Sequence, residues 1–140
     1  MADGRPRARF VTGSRRLVTS GGPFEASYGY SRAVVVGDSC WIAGTTDPQG
    51  INHPEAAVQA RAAFAVIERA LIDAGFALSD AVRTRMYVTR ARDAHVVAAV
   101  HRAVFGAIRP AATLVVVSAL LEPEMLVEVE LEARRSLRHP

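Results

Sequence analysis

The stretch from Arg109 to Ala133, RPAATLVVVSALLEPEMLVEVELEA, restricts the fold more than any other part of the chain. It reads as two strands joined by a loop. In the second strand Val127, Val129 and Leu131 alternate strictly with Glu128, Glu130 and Glu132. Successive side chains of a strand point to opposite faces, so three carboxylates share one face and an apolar row takes the other. Like charges side by side are costly unless that face is wet or meets cations. Glu128 and Glu132 are therefore expected to be solvated or paired with arginines, because acids are seldom buried.

The rest of the chain supplies partners for these strands. Phe10 and Val11 look like the start of a strand, and residues 20–31, SGGPFEASYGYS, read as a loop. Ala33 to Val36 and Cys40 to Ala43 form a hairpin around Gly37-Asp38. Thr45 to Ile51 is loop. Asn52 is placed to cap a helix with Pro54 and Glu55 in its first turn. The apolar stripe of that helix runs through Val58, Ala62, Ala65, Val66, Ala70 and Ile72, with Arg69 among them, and stops at Gly75. Val82 to Thr89 is a strand with Arg83, Arg85 and Tyr87 on one face and Val82, Thr84, Met86 and Val88 on the other. Asp93 caps a second helix to about Phe105, its apolar side made by Val96, Val97, Val100, Val104 and Phe105. The order β-β-(β)-α-β-α-β-β predicts an α+β fold, a mixed sheet with two helices on one face, in one domain spanning residues 1–140.

Such a sheet is short of cover. Ala33 to Val36 and Leu114 to Val117 are apolar on both faces, the mark of strands buried on both sides. Two helices cover only one. The other face is expected to meet further copies of the chain, in a homo-oligomer with ligand clefts at subunit boundaries.

Composition removes several function classes. All 17 basic residues are arginine, so mechanisms that need a lysine amine are excluded, Schiff-base and P-loop chemistry among them. Net charge is only +3, and no aromatic residue interleaves with the arginine clusters, which argues against a nucleic-acid surface. Cys40 is the one cysteine, in an apolar strand, and is expected to be a buried structural thiol. His53, His95, His101 and His139 show no metal-ligand spacing, so no metal site and no cofactor are expected. No apolar run approaches a membrane span and no secretory signal is seen, so a cytoplasmic protein without membrane contact is expected.

Four segments in order, VQARAAF at 58–64, VRTRMYVT at 82–89, RPAAT at 109–113 and VEVELEA at 127–133, resemble the Rid (reactive intermediate deaminase, YjgF-like) family over roughly residues 28–134. The resemblance implies a chorismate-mutase-like fold and a homotrimer with three inter-subunit clefts. It also implies hydrolysis of enamines and imines to keto acids and ammonia. In the family's P-A-R-[ST] motif the arginine clamps the substrate carboxylate. Here the motif reads Pro110-Ala111-Ala112-Thr113, and a methyl group at Ala112 cannot hold a carboxylate. Carried over residue by residue, Glu130 matches the glutamate that positions or activates water, Gly44 the cleft glycine and Tyr30 an aromatic at its mouth. Tyr87 takes an aromatic position on the strand after the first helix. Thr113 and Gly44 would offer backbone N–H groups. Ala43 stands where a serine is usual. Arg85 is the first candidate to replace the lost clamp and Arg109 the second, although Arg85 also suits pairing with a carboxylate.

The leading expectation is a small-molecule enzyme that hydrolyses or tautomerises an imine, enamine or related intermediate other than the family's usual 2-imino acid. The alternative is a trimeric metabolite-binding protein without turnover. Ribonuclease activity, for which some relatives are named, finds no histidine pair or basic-aromatic stripe to support it. Without a guanidinium at position 112, a small imino acid loses a bidentate contact of about 3 kcal/mol. That is roughly a hundredfold in handling. In a semicarbazide-trapping assay the unmodified chain should therefore barely hydrolyse a small 2-imino acid made in situ by an amino-acid oxidase, and Ala112→Arg should raise that rate measurably. Robust activity in the unmodified chain would mean that another group, Arg85 foremost, holds the carboxylate.

Overall fold

In the computed structural model, which describes residues 14–136, the alternating segment runs through the interior of a six-stranded mixed sheet. In chain order the strands are β1 (Arg15–Val18), β2 (Ala33–Val36), β3 (Ser39–Thr45), β4 (Ala81–Val88), β5 (Ala111–Val116) and β6 (Val127–Arg134). The helices are α1 (Pro23–Tyr28), α2 (Ala56–Ala74) and α3 (Ala94–Phe105). The strands lie side by side as β1-β2-β3-β6-β4-β5. β4 and β5 are parallel, joined across α3, and β6 inserts antiparallel between β3 and β4. Phe10 and Val11, expected to begin a strand, lie outside the described residues.

The alternation of β6 becomes a sorting of its two faces. Val127, Val129, Leu131 and Ala133 are all 2% exposed or less, while the glutamates between them are half-buried on the other side. On the helix-covered face they join Val35, Cys40, Ile42, Met86 and Val88. At roughly 1.5–3 kcal/mol for each large apolar side chain buried, this row fixes which way β6 faces. A slip of one residue would drive three carboxylates into the core. Burial raises the Cys40 thiol to about 11, in keeping with a structural role.

Four expectations need correction. Residues 23–28 form a helix, α1, so the sheet carries three helices and not two. Pro23 opens it, and Glu25 turns back to accept hydrogen bonds from the Gly22 N–H (3.0 Å) and the Ser20 hydroxyl (2.5 Å). The helix closes on Gly29 in the left-handed region, φ 77°. Helix α2 starts later than expected, with Glu55 in place of Asn52 at its N-cap, because Gly50–Asn52 forms a short 3-10 turn. Its buried stripe is also rotated. Ala56, Gln59, Ala60, Ala63, Phe64, Ile67, Ala70, Leu71 and Ala74 face the sheet, and of the expected residues only Ala70 does. Alanines all around the helix blur its stripe, and Phe64 and Leu71 decide it. Val82 is exposed because the β4–β6 pairing slips between Ala81 and Arg83, leaving it as the extra residue.

Other elements form as the sequence suggests. Gly37-Asp38 closes the β2–β3 hairpin, with Gly37 at φ 57°. Gly75, φ 83°, ends α2 with the Phe76 N–H bonded back to the Leu71 carbonyl. Asp93 is the N-cap of α3 by position, but its carboxylate takes Arg90 at 2.7 Å and caps nothing.

Gln59, fully buried on α2, ties two loops to the helix. Its amide nitrogen donates to the carbonyls of His53 (2.7 Å) and Glu124 (2.9 Å), and its oxygen accepts the Leu126 N–H (2.9 Å). Gln59→Ala strands these backbone groups in the interior. At about 1–3 kcal/mol for each buried group left unpaired, a loss of at least ~3 kcal/mol is expected, read from urea denaturation midpoints. A loss below ~1 kcal/mol would show that water replaces the amide.

Candidate functional site

The site begins with an irregularity in β3. Ile42 pairs with Leu131 and Thr45 with Val129, so β3 uses three residues where β6 uses two. The bulge keeps both Ile42 and Thr45 in the core and displaces Ala43-Gly44 from the regular ladder. A Cβ on Gly44 would stand 3.1 Å from the carboxyl carbon of Glu128, so the glycine is what leaves that carboxylate its room.

Arg32, just ahead of β2, braces the same spot from below. It is 8% exposed. Its Nη1 donates to the Gly44 carbonyl (3.0 Å) and to Thr45 Oγ1 (2.6 Å), and its Nη2 reaches the Tyr30 hydroxyl at 3.3 Å. Its Nε is buried without a partner. A buried donor left unpaired costs about 1–3 kcal/mol, and more when charged, so this atom calls for an explanation.

These groups line a cleft of about 480 Å³ whose wall also includes Phe24, Tyr28, Thr46, Asp47, Leu121 and Met125. Asp47 is fixed at its edge by His53 Nδ1 (2.5 Å) and the Gln49 N–H (2.8 Å). Burial pushes the Glu128 carboxyl above its ordinary range. The charge of Glu130 adds to that rise and Arg32 opposes it. A carboxyl raised this way beside an open glycine and a fixed cation suits proton transfer or the holding of a water.

The expected residues fall into three groups, with Tyr30 shared between the first two. Tyr30 and Gly44 are together in this cleft. Arg85, Tyr87 and Glu130 lie together on the open face of the sheet, where Arg85 and Glu130 line a second cleft of about 480 Å³ with Tyr30, Trp41 and Ala43. There the Tyr87 hydroxyl donates to Glu130 Oε1 at 2.7 Å, which raises the phenol's pKa. Arg85 sits 3.5 Å from Glu130 and 3.2 Å from Glu132. Its charge is thus matched by two carboxylates, the pairing alternative raised for it above. Arg109, Ala112 and Thr113 are exposed at the far edge, Arg109 with φ 58° in the turn before β5. Ala112 pairs with Thr84 and Thr113 with Arg85. With β6 and β4 between, β5 is three strand spacings from β3, about 14 Å, so one protomer does not bring Ala112 to Gly44.

The carboxylate beside Gly44 is Glu128, which is half-buried and not mainly solvated, while Glu130 lines the neighbouring cleft with Tyr30 and Arg85. Alternation put both glutamates on one face, but only the bulge decides which of them meets the glycine. Arg32 escaped the sequence reading because a lone arginine before an apolar strand resembles any flanking charge. Among the described residues no cluster of three His, Cys, Asp or Glu side chains could hold a metal ion, and no helix is long and apolar enough to cross a membrane.

The mixed sheet with β6 threaded between β3 and β4, and a glycine bulge facing a half-buried carboxylate, defines a small α+β cleft protein. The chain belongs to the family described as Endoribonuclease L-PSP, whose model matches residues 22–135, the family of the YjgF and Rid proteins. It is 45% identical to a solved member of the YjgF/YER057c/UK114 family from Mycobacterium tuberculosis, with a TM-score of 0.82 over 87% of this chain and 100% of that one. RidA from the Antarctic bacterium Psychrobacter is 26% identical, TM-score 0.71, over 85% of this chain and 94% of that one. An uncharacterized protein of Streptomyces coelicolor is 36% identical over 86% of this chain and 92% of its own length.

The raised pKa of Glu128 has a consequence for stability. A carboxyl whose folded pKa lies above its unfolded value favours the fold while protonated. That contribution is full below the unfolded pKa, near 4.5, and is lost as pH rises through the folded pKa. Glu128→Gln should therefore be more stable than the unmodified chain at pH 7, with the difference shrinking toward pH 4. Urea midpoints at the two pH values check this. A variant less stable at pH 7 would show that attraction to Arg32 outweighs burial.

Proposed function

We propose that this chain is a Rid-type hydrolase of an imine or enamine, in which Glu128 handles the proton of the attacking water. The observation that carries the reading is the Glu128 carboxyl, half-buried against the Gly44 bulge at the floor of a cleft. In the reaction the oxygen of water bonds to the C=N carbon while Glu128 takes a proton from that water. Proton return to nitrogen and cleavage of the C–N bond release ammonia and leave a carbonyl, so atoms balance without a cofactor. An enamine first takes a proton at carbon to become the imine.

The protomer, read as one domain, works in this proposal as a homotrimer. Strand β5 is an edge strand exposed along most of its length, and Leu17, Trp41 and Val115 stand exposed on the open sheet face. Exposed edges and apolar faces of this kind call for cover. A neighbouring copy's β5 would also bring its Thr113 to the cleft, which one chain cannot do. The missing arginine at Ala112 moves the preferred substrate away from small 2-imino acids.

Imines generated in situ by amine and amino-acid oxidases, from substrates with small and with aromatic side chains, test this in the semicarbazide assay. The unmodified protein should accelerate hydrolysis of the larger ones and, by light scattering, run as a trimer. Glu128→Gln should remain trimeric and lose roughly a hundredfold or more in rate, the usual worth of a positioned base. Full activity in that variant, or no acceleration with any imine, would sink the proposal.

A further inference from the structure

Building on the reading of the cleft just proposed, we infer that Arg32 is its acid-binding residue. The ligand is then an amphiphilic acid, with a carboxylate on the Arg32 guanidinium and an apolar or aromatic body toward Phe24, Tyr28, Leu121 and Met125.

The guanidinium is half used. It carries five N–H donors in a rigid fork. Nη1 spends its two on Gly44 and Thr45, at 3.0 and 2.6 Å, which fixes the group in place. Nη2 makes one long contact, 3.3 Å, with the Tyr30 hydroxyl, and Nε makes none. Nε–H and one Nη2–H lie along a single edge, and that edge is the one a carboxylate takes side-on with two parallel bonds. The Tyr30 ring stands against the guanidinium, 5.6 Å from its centroid, and its hydroxyl is the partner a carboxylate displaces.

Among the described residues no carboxylate forms an ion pair within 4 Å with the Arg32 guanidinium. Glu128 is near enough for each to feel the other, yet the two do not pair. Arg85 differs, being held between Glu130 and Glu132. A cation more than nine-tenths buried, fixed at one end, with Nε unpartnered and Nη2 held only by the Tyr30 hydroxyl, can receive an anion that displaces that hydroxyl.

The other end of the cleft selects the body of the ligand. Phe24 and Tyr28 stack at 5.2 Å, and Tyr28 and Leu121 are among the most exposed apolar side chains of the described residues, at 62% and 71%. Met125, Val66 and Pro23 continue this wall. A three-carbon acid fills little of about 480 Å³ and would leave these side chains in water.

The test is calorimetric titration of the full chain with 3-phenylpropanoate, its neutral isostere 3-phenylpropanamide, and acetate. The acid should bind at least about tenfold more tightly than the amide, as a charge-assisted bidentate contact requires, and far more tightly than acetate. Arg32→Gln should bring acid and amide to within about twofold of each other. Glu128→Gln removes a like charge and should tighten the acid several-fold while leaving the amide unchanged. If Arg32→Gln does not fold, the acid-to-amide ratio in the unmodified chain and in Glu128→Gln decides. Equal binding of acid and amide, no detectable acid binding at millimolar concentration, or a preference that survives Arg32→Gln overturns the inference. These readouts need no turnover. Acid preference without imine hydrolysis would defeat the hydrolase proposal alone, and hydrolysis without acid preference would defeat this inference alone.

Discussion

Everything in this fold hangs on β6 lying between β3 and β4. A strand with a glutamate at every second position is poorly suited to an interior place unless its two faces meet opposite conditions. Here they do. Val127, Val129 and Leu131 close the core against α2, while Glu128, Glu130 and Glu132 look out on the other side. The carboxylates are then made tolerable one at a time by their neighbours. Tyr87 and Arg85, on β4, take Glu130 and Glu132. Glu128 lies at the β3 bulge instead, where burial and the charge of Glu130 raise its pKa and Arg32 opposes the rise only from a distance. The residue left least satisfied by the sheet is the one placed at the cleft.

Two buried polar side chains show the difference between holding a fold and making a site. Gln59 finds partners for its nitrogen and its oxygen, and the result is structural, two loops tied to one helix. Arg32 is fixed with equal firmness by Gly44 and Thr45, yet an edge of it stays without a partner. Inside a protein of low effective dielectric, an unused donor on a cation is expensive. The fold tolerates it next to a surface recess where aromatic and aliphatic side chains stand exposed together.

The architecture was readable because its signals were periodic or local. Strict alternation marked β6, the Gly37-Asp38 turn marked the hairpin, and Gly75 marked the end of α2. What failed to show lacked such a signal. The α2 stripe is ambiguous in the sequence because alanine fits either face of a helix. Helix α1 is too short for a period, and what holds it is Glu25 reaching back to Gly22 and Ser20. The site was harder still. Tyr30 and Gly44 are legible in the sequence, but the glutamate that meets the glycine depends on a single extra residue in β3, and no pattern in β6 carries that information. Arg32 gained its importance from burial alone.

The substitution at Ala112 and the burial of Arg32 belong together on this reading. An acid clamp on β5 would sit at the far edge of the sheet, about three strand spacings from the β3 bulge, and would serve a cleft only by reaching into a neighbouring copy. A clamp at Arg32 lies in the same protomer as Gly44 and Glu128 and is anchored by the bulge itself. Recognition of the acid and activation of water would then depend on one backbone feature, the Ala43–Gly44 irregularity. Assembly would be left to close the cleft and exclude water, a task that asks for shape from the β5 edge and not for charge. An alanine at position 112 suits that task, since a small side chain on an edge strand lets another chain approach closely.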